Sequence, residues 1–228
     1  AMANDEIKAM LCALPFPLTG AQDRVLGELR QDLDSGRPMN RLLQGDVGAG
    51  KTILAALAAA IVTRAGAQAA FMAPTSILAS QHYLTITRLI DSDPAFPLKS
   101  RQVRLLLGDT PAQEKEEIRQ GLEDGSVQLV IGTHALLESP VLFKDLQFVV
   151  VDEQHRFGVA QRALLRSKGT NPHLLVMTAT PIPRSLALTV YGDLDLSVLD
   201  EIPPGRQAVE THLLSPRERE RAYSQIEA

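Results

Sequence analysis

Gly45-Asp46-Val47-Gly48-Ala49-Gly50-Lys51-Thr52 is the stretch from which the rest of this chain can be read. A glycine, four residues, then Gly-Lys-Thr is the spacing of a phosphate-binding loop. An apolar run at 41–44 precedes it and an apolar helix candidate at 50–65 follows. The loop therefore falls at a strand-to-helix turn, the context the motif requires. Phosphate oxygens need a concave row of backbone N–H donors, and glycine lets the backbone approach closely and take positive φ. The helix N-terminus adds unpaired N–H groups and a favourable dipole. Lys51 offers a point charge to the β- and γ-phosphates, and Thr52 a hydroxyl to Mg²⁺. ATP and Mg²⁺ are the cofactors these residues imply.

Outward from the loop, short apolar runs alternate with longer amphipathic ones. Strands are predicted at 41–44, 69–73, 103–107, 127–131, 147–151 and 174–178, and helices near 21–34, 50–65, 76–90, 111–123, 158–167 and 183–190. The strand runs are largely continuous in Val, Leu and Ile, as expected for strands covered on both faces. Strand and helix alternating at this spacing predict a three-layer α/β fold with a mostly parallel central sheet. The segment 91–100, DSDPAFPLKS, holds two prolines and reads as a surface loop. Pro203-Pro204-Gly205-Arg206 follows a last strand-like run at 196–199 and reads as a boundary. Residues 1–203 are then one domain, and 204–228 a linker and the truncated start of a second.

At 228 residues, 45% apolar and 22% charged, the chain has enough material for one large core. Its longest run free of polar groups, 53–62, is ten residues, whereas crossing a bilayer takes roughly 20. No basic segment followed by an apolar one opens the chain, so no secretory signal is read and a cytoplasmic location is expected. The single cysteine, Cys12, excludes an internal disulfide and reads as a small buried or linker residue. A net charge of −4 gives no overall electrostatic footprint for nucleic acid. Any DNA contact must rest on local motifs.

A second element is Phe148-Val149-Val150-Val151-Asp152-Glu153-Gln154-His155. An apolar strand ending in two carboxylates puts Asp152 at the carboxyl edge of the sheet, where open α/β folds bind ligands. Asp152 fits the role of holding Mg²⁺, and Glu153 that of polarising an attacking water. An ordinary acidic turn is the bland alternative, weakened by the phosphate loop upstream. Thr19-Gly20-Ala21-Gln22, ahead of Val25, Leu26 and Leu29, is a capping box for the helix at 21–34. Phe16 is expected in the core.

Asp152-Glu153-Gln154-His155 resembles the DExH box of superfamily 2 helicases and translocases. Other segments are similar, in order, to that superfamily's N-terminal motifs: Ala73-Pro74-Thr75 with Leu78, Gln81 and His82, then Gly132-Thr133-His134, then Thr178-Ala179-Thr180. The longer strings 152–159 (DEQHRFGV), 178–184 (TATPIPR) and 191–195 (YGDLD) resemble the bacterial branched-DNA helicases of that superfamily. The likeness runs from about Leu14 to the C-terminus. It implies a RecA-like P-loop NTPase domain, the first of two, in an ATP-dependent DNA helicase active in repair and recombination. It implies catalytic roles for Lys51, Asp152, Glu153 and His155, and base recognition by Gln22. Pro74, Thr75, Thr133 and His134 would lie near a DNA backbone, positioning phosphates without reading sequence. Gln154, Thr178 and Thr180 would couple the ATP and DNA sites, with Arg156, Arg162 and Arg184 as further phosphate or interdomain contacts. Local alternatives stand beside these: Pro-Thr is also a good helix start, and Thr133-His134 a cap for the following turn.

The partners implied are branched DNA, a second RecA-like domain and a DNA-binding wedge domain of the same parent chain, in a monomer. Motifs of the second motor domain, which supplies an arginine finger in the family, are not found in this sequence. A related translocase, from transcription-coupled repair or replication restart, is the nearest alternative, and Gln154 argues against it because those enzymes usually carry Glu there. A P-loop enzyme without nucleic acid has no reason to keep TATPIPR or the Gly-Thr-His turn. A domain using nucleotide only as a structural ligand has no need of Lys51, Thr52, Asp152 and Glu153 together.

Overall fold

The structure is a computed structural model that describes residues 4–94, 96–138, 140–152, 159–180 and 194–201, with Ser215 and Tyr223. The predicted helix at 183–190, the boundary at 203–206, the tail beyond it apart from those two residues, and Glu153, Gln154, His155, Arg156, Arg184 and the side chain of Arg162 lie outside them.

Seven strands form one sheet: β1 Asn40–Gly45, β2 Gln68–Met72, β3 Val103–Leu106, β4 Leu129–Gly132, β5 Leu146–Val151, β6 His173–Thr178 and β7 Asp195–Leu199. Their order across the sheet is β3-β4-β2-β5-β6-β1-β7. Every pairing among the described strands is parallel. Parallel neighbours need crossovers, and four helices lie within them: α3 Lys51–Arg64, α4 Ser76–Asp91, α5 Ala112–Asp124 and α6 Val159–Arg166, while α2 Gly20–Asp34 leads into β1. A further helix, α1 Asn4–Cys12, precedes them and was not expected from the sequence. It ends at Cys12, which is exposed rather than buried.

Strand side chains alternate between two cores, one on each face of the sheet. Leu43, Phe71, Ile131, Val150 and Met177 face α1 to α4. Leu42, Met72, Val130, Val151 and Val176 face α5, α6 and a 3-10 turn at His134–Leu137. The continuous apolar runs predicted this arrangement, since a strand covered on both sides has no polar face to show. Helix α3 is buried all round from Leu54 to Thr63, as an apolar helix without a polar face must be.

One expectation is overturned at 91–100. Phe96 and Leu98, each 1% exposed, join the core beside α1 to α4. The prolines and polar residues do make a turn, yet two apolar side chains spaced two apart from it reach inward. Burying a phenyl ring of this size outweighs the cost of ordering the segment.

Candidate functional site

In a parallel sheet all strands end on one edge, so motifs far apart in sequence converge there. Gly45 pairs with Leu199, Gln44 with Thr178, and Met72 with both Gly132 and Val151. The Asp152 N–H donates to the Met72 carbonyl at 2.9 Å, and the Ala73 N–H to the Gly132 carbonyl at 2.9 Å. The phosphate loop, the carboxylate after β5 and the turns after β2, β4 and β6 thus share one edge.

The loop itself is held open by glycine. Gly48 and Gly50 sit at φ of 80° and 94°, a region other residues avoid. A Cβ on Gly50 would lie 2.2 Å from Gln22 Nε2, so a side chain there would displace the Gln22 amide as well as strain the backbone. Gln22 is buried and uses both ends of its amide. Its Oε1 accepts from the Thr19 N–H at 3.0 Å and its Nε2 donates to the Ala49 carbonyl at 2.9 Å. Thr19 Oγ1 in turn accepts from the Gln22 N–H at 3.2 Å, completing the expected capping box. One residue therefore fixes the start of α2 and the wall of the phosphate loop together. The second hydrogen on Nε2 is of the kind that a base-edge acceptor takes. Phe16, expected in the core, is 42% exposed.

Lys51 Nζ donates to the carbonyls of Gly45 and Asp46 at 2.7 and 2.9 Å, which places the ammonium over the loop. Val47 N–H donates to Asp46 Oδ1 at 2.7 Å, and Val47 projects outward, 67% exposed. Asp152 is buried. Its Oδ2 lies 2.6 Å from His82 Nε2, while His82 Nδ1 lies 3.4 Å from Thr52 Oγ1. The hydroxyl and the carboxylate named from the sequence as Mg²⁺ ligands therefore face one imidazole. Two hard oxygens beside a phosphate cradle suit Mg²⁺, which takes few protein ligands and completes its shell with water and phosphate. Among the described residues no group of three or more His, Cys, Asp and Glu could cage an ion. His82 was read from the sequence only as part of a motif; its place between Thr52 and Asp152 had no local signal.

The candidate DNA contacts fall on the same edge. Thr75 Oγ1 accepts from the Leu78 N–H at 3.3 Å as the N-cap of α4, so the helix-start reading holds for that side chain, and Pro74 beside it is half-buried. Thr133 is buried and makes no side-chain cap to the turn it precedes, while His134 is exposed. Thr178 and Thr180 hydroxyls are 2.8 Å apart, and the Thr180 N–H donates to Thr178 Oγ1 at 3.2 Å. That closes a local turn at the end of β6, with Thr178 buried and Thr180 exposed. An open groove of about 620 Å³ runs from Ser76 and Ser80 to Arg88 and Asp109, adjoining the capped end of α4. No local pattern in the sequence announces it.

The family model for DEAD/DEAH box helicases matches residues 19–189. A protein of Thermotoga maritima named ATP-dependent DNA helicase RecG is 55% identical over 213 residues, covering 93% of this chain and 26% of that protein. The Bacillus subtilis protein of the same name is 47% identical over 210 residues, covering 92% of this chain and 30% of its relative. This chain spans about a quarter to a third of the length of such relatives. Among solved structures, RecG bound to a three-way DNA junction superposes with a TM-score of 0.84 at 47% identity, over 99% of this chain and 30% of that one. The DEAD-box helicase Mss116 bound to single-stranded RNA, at 18% identity and a TM-score of 0.64, covers 86% of this chain and 42% of its own and shares the fold.

Proposed function

This chain belongs to the DEAD/DEAH box helicase family, and from that premise we propose that it is the nucleotide-binding half of an ATP-driven motor that remodels branched DNA. The observation that carries the reading is the convergence of Thr52 and Asp152 on one imidazole beside the phosphate loop. Identity of 55% to a protein named as an ATP-dependent DNA helicase, and likeness to one bound to a three-way junction, support branched DNA as the substrate.

In this reading the loop from Gly45 to Thr52 cradles the triphosphate of ATP through backbone N–H groups, and Lys51 moves its donors from the loop carbonyls to the β- and γ-oxygens. Thr52 and Asp152 would hold Mg²⁺, which would supply positive charge against those oxygens. Glu153 orients and polarises the attacking water, and Gln22 presents its remaining amide hydrogen to the base. Pro74, Thr75, Thr133 and His134 meet the DNA backbone. Gln154, His155, Thr178 and Thr180 carry changes at the γ-phosphate to that surface. Residues 1–203 form the motor domain and 204–228 lead to a second RecA-like domain. That domain supplies an arginine finger, a contribution of roughly 10³–10⁵ in turnover. A wedge domain of the same parent binds the junction, and the parent works as a cytoplasmic monomer.

The test is the ATPase rate of the parent protein with forked DNA, single-stranded DNA and no DNA. Forked DNA is expected to stimulate most. Equal rates in all three would remove the branched-DNA reading and leave a P-loop ATPase acting elsewhere.

A further inference from the structure

His82 is the one buried imidazole whose two nitrogens face the two residues assigned to the cation, among the described residues. It comes from the second turn of α4, thirty residues from Thr52 and seventy from Asp152 in sequence. Its ring packs on Phe71 with centroids 4.6 Å apart at an interplanar angle of 42°. Phe71 lies one residue before Met72, whose carbonyl accepts from Asp152 N–H, so ring and carboxylate are referenced to the same strand.

A carboxylate only accepts, so the nitrogen facing Asp152 Oδ2 carries a hydrogen, which in the neutral ring is the Nε2–H tautomer. Nδ1 of that tautomer is an acceptor, and the group it faces is the Thr52 hydroxyl. The consequence is directional. A hydroxyl that ligates a cation does so through an oxygen lone pair, and its hydrogen must be turned away toward an acceptor. His82 Nδ1 is that acceptor. The same ring occupies one side of Asp152 Oδ2 and limits the rotation of the carboxylate. Outer partners that orient metal ligands in this manner contribute about 10- to 100-fold to metal affinity.

The geometry points to His82 as a positioning residue for the cation shared with the nucleotide, a role that rests on the ATP-binding function proposed above. It also gives α4 a rigid connection to that cation. Thr75 caps the N-terminus of the same helix, seven residues from His82, and Pro74 and Thr75 are proposed to meet DNA. Displacement of α4 by DNA would be felt at Asp152 and Thr52 through one ring.

The experiment uses the 228-residue chain and a fluorescent ribose-labelled ATP analogue, titrated with Mg²⁺ and with a chelator instead. The readout is the ratio of dissociation constants without and with Mg²⁺. In His82→Ala this ratio is expected to collapse toward one, and in His82→Gln, whose amide can still donate to Asp152, to recover in part. Thermal unfolding of each variant establishes that it is folded. A folded His82→Ala protein that keeps the wild-type ratio would overturn the inference. Independently of any variant, long-range ¹H–¹⁵N spectra of ¹⁵N-histidine-labelled wild type should place the hydrogen of His82 on Nε2; finding it on Nδ1 would overturn it as well. A wild type that binds no nucleotide under either condition defeats the ATP-binding reading and this inference together, a pattern distinct from failure of the inference alone.

Discussion

Replacing Gly50 by alanine tests how far Gln22 shapes the phosphate loop. At φ +94° an alanine is strained by about 1 to 2 kcal/mol. Its Cβ would also stand 2.2 Å from Gln22 Nε2, so the glutamine must leave. Leaving forfeits the bonds to Thr19 N–H and the Ala49 carbonyl, at about 1 kcal/mol each, and strands a buried carbonyl. Gly50→Ala should therefore destabilise the chain by about 3 to 5 kcal/mol. Gln22→Ala alone loses the same two bonds and should cost about 2 to 3 kcal/mol. In the double variant no glutamine remains to be displaced, so only the backbone strain is added to the Gln22→Ala loss. The double variant should be about as stable as Gly50→Ala alone, a coupling of about 2 kcal/mol in a double-mutant cycle. Urea unfolding followed by circular dichroism, with m-values checked for constancy, measures all four corners. Additivity to within about 0.5 kcal/mol would refute the idea that Gln22 occupies the space a side chain at position 50 would need.

Burial lowers the affinity of His173 for a proton, against a weaker opposing pull from Asp32, and its Nδ1 accepts from the Met39 N–H at 2.9 Å. Because the folded-state value is depressed below the usual value of about 6.5, its contribution is fully present above that pH and is lost as pH falls through the folded value. As pH falls below about 6.5 the urea midpoint should drop more steeply for wild type than for His173→Asn, which keeps an acceptor for Met39 without titrating; parallel profiles would contradict this. Phe96→Ala should cost about 3 to 5 kcal/mol, since the ring is fully buried in a segment that sequence alone reads as surface; a loss under about 1 kcal/mol in urea unfolding would show that the segment does not dock. In the parent enzyme, Glu153→Gln should leave nucleotide binding largely intact while lowering turnover by at least about 10². Equal loss of binding, read by the same fluorescent analogue, would show that Glu153 holds the nucleotide and does not prepare the water.

What the sequence determined by itself is what depends on near neighbours. The phosphate loop, the Thr19–Gln22 capping box and the Thr75 helix start each follow from residues within one turn of each other, because capping and glycine backbone freedom act over three or four positions. Six strands and the strand-like run at 196–199 follow from apolar runs, and a mostly parallel sheet from their spacing, while the parallel pairing of every described strand comes from the structure. Asp152 was legible as the end of such a run. Misreadings arose where burial is decided from a distance. Phe96 is buried and Phe16 exposed, the reverse of what their flanking residues imply, because each outcome depends on which surface the folded sheet and helices present. His82 belongs to the same class. Its two partners come from α3, which follows β1, and from the end of β5, with β6 between those two strands in the sheet, and only the strand order together with the rotation of α4 about its axis brings them to one ring. Short-range chemistry is written in the chain; which distant groups share a site is settled by packing.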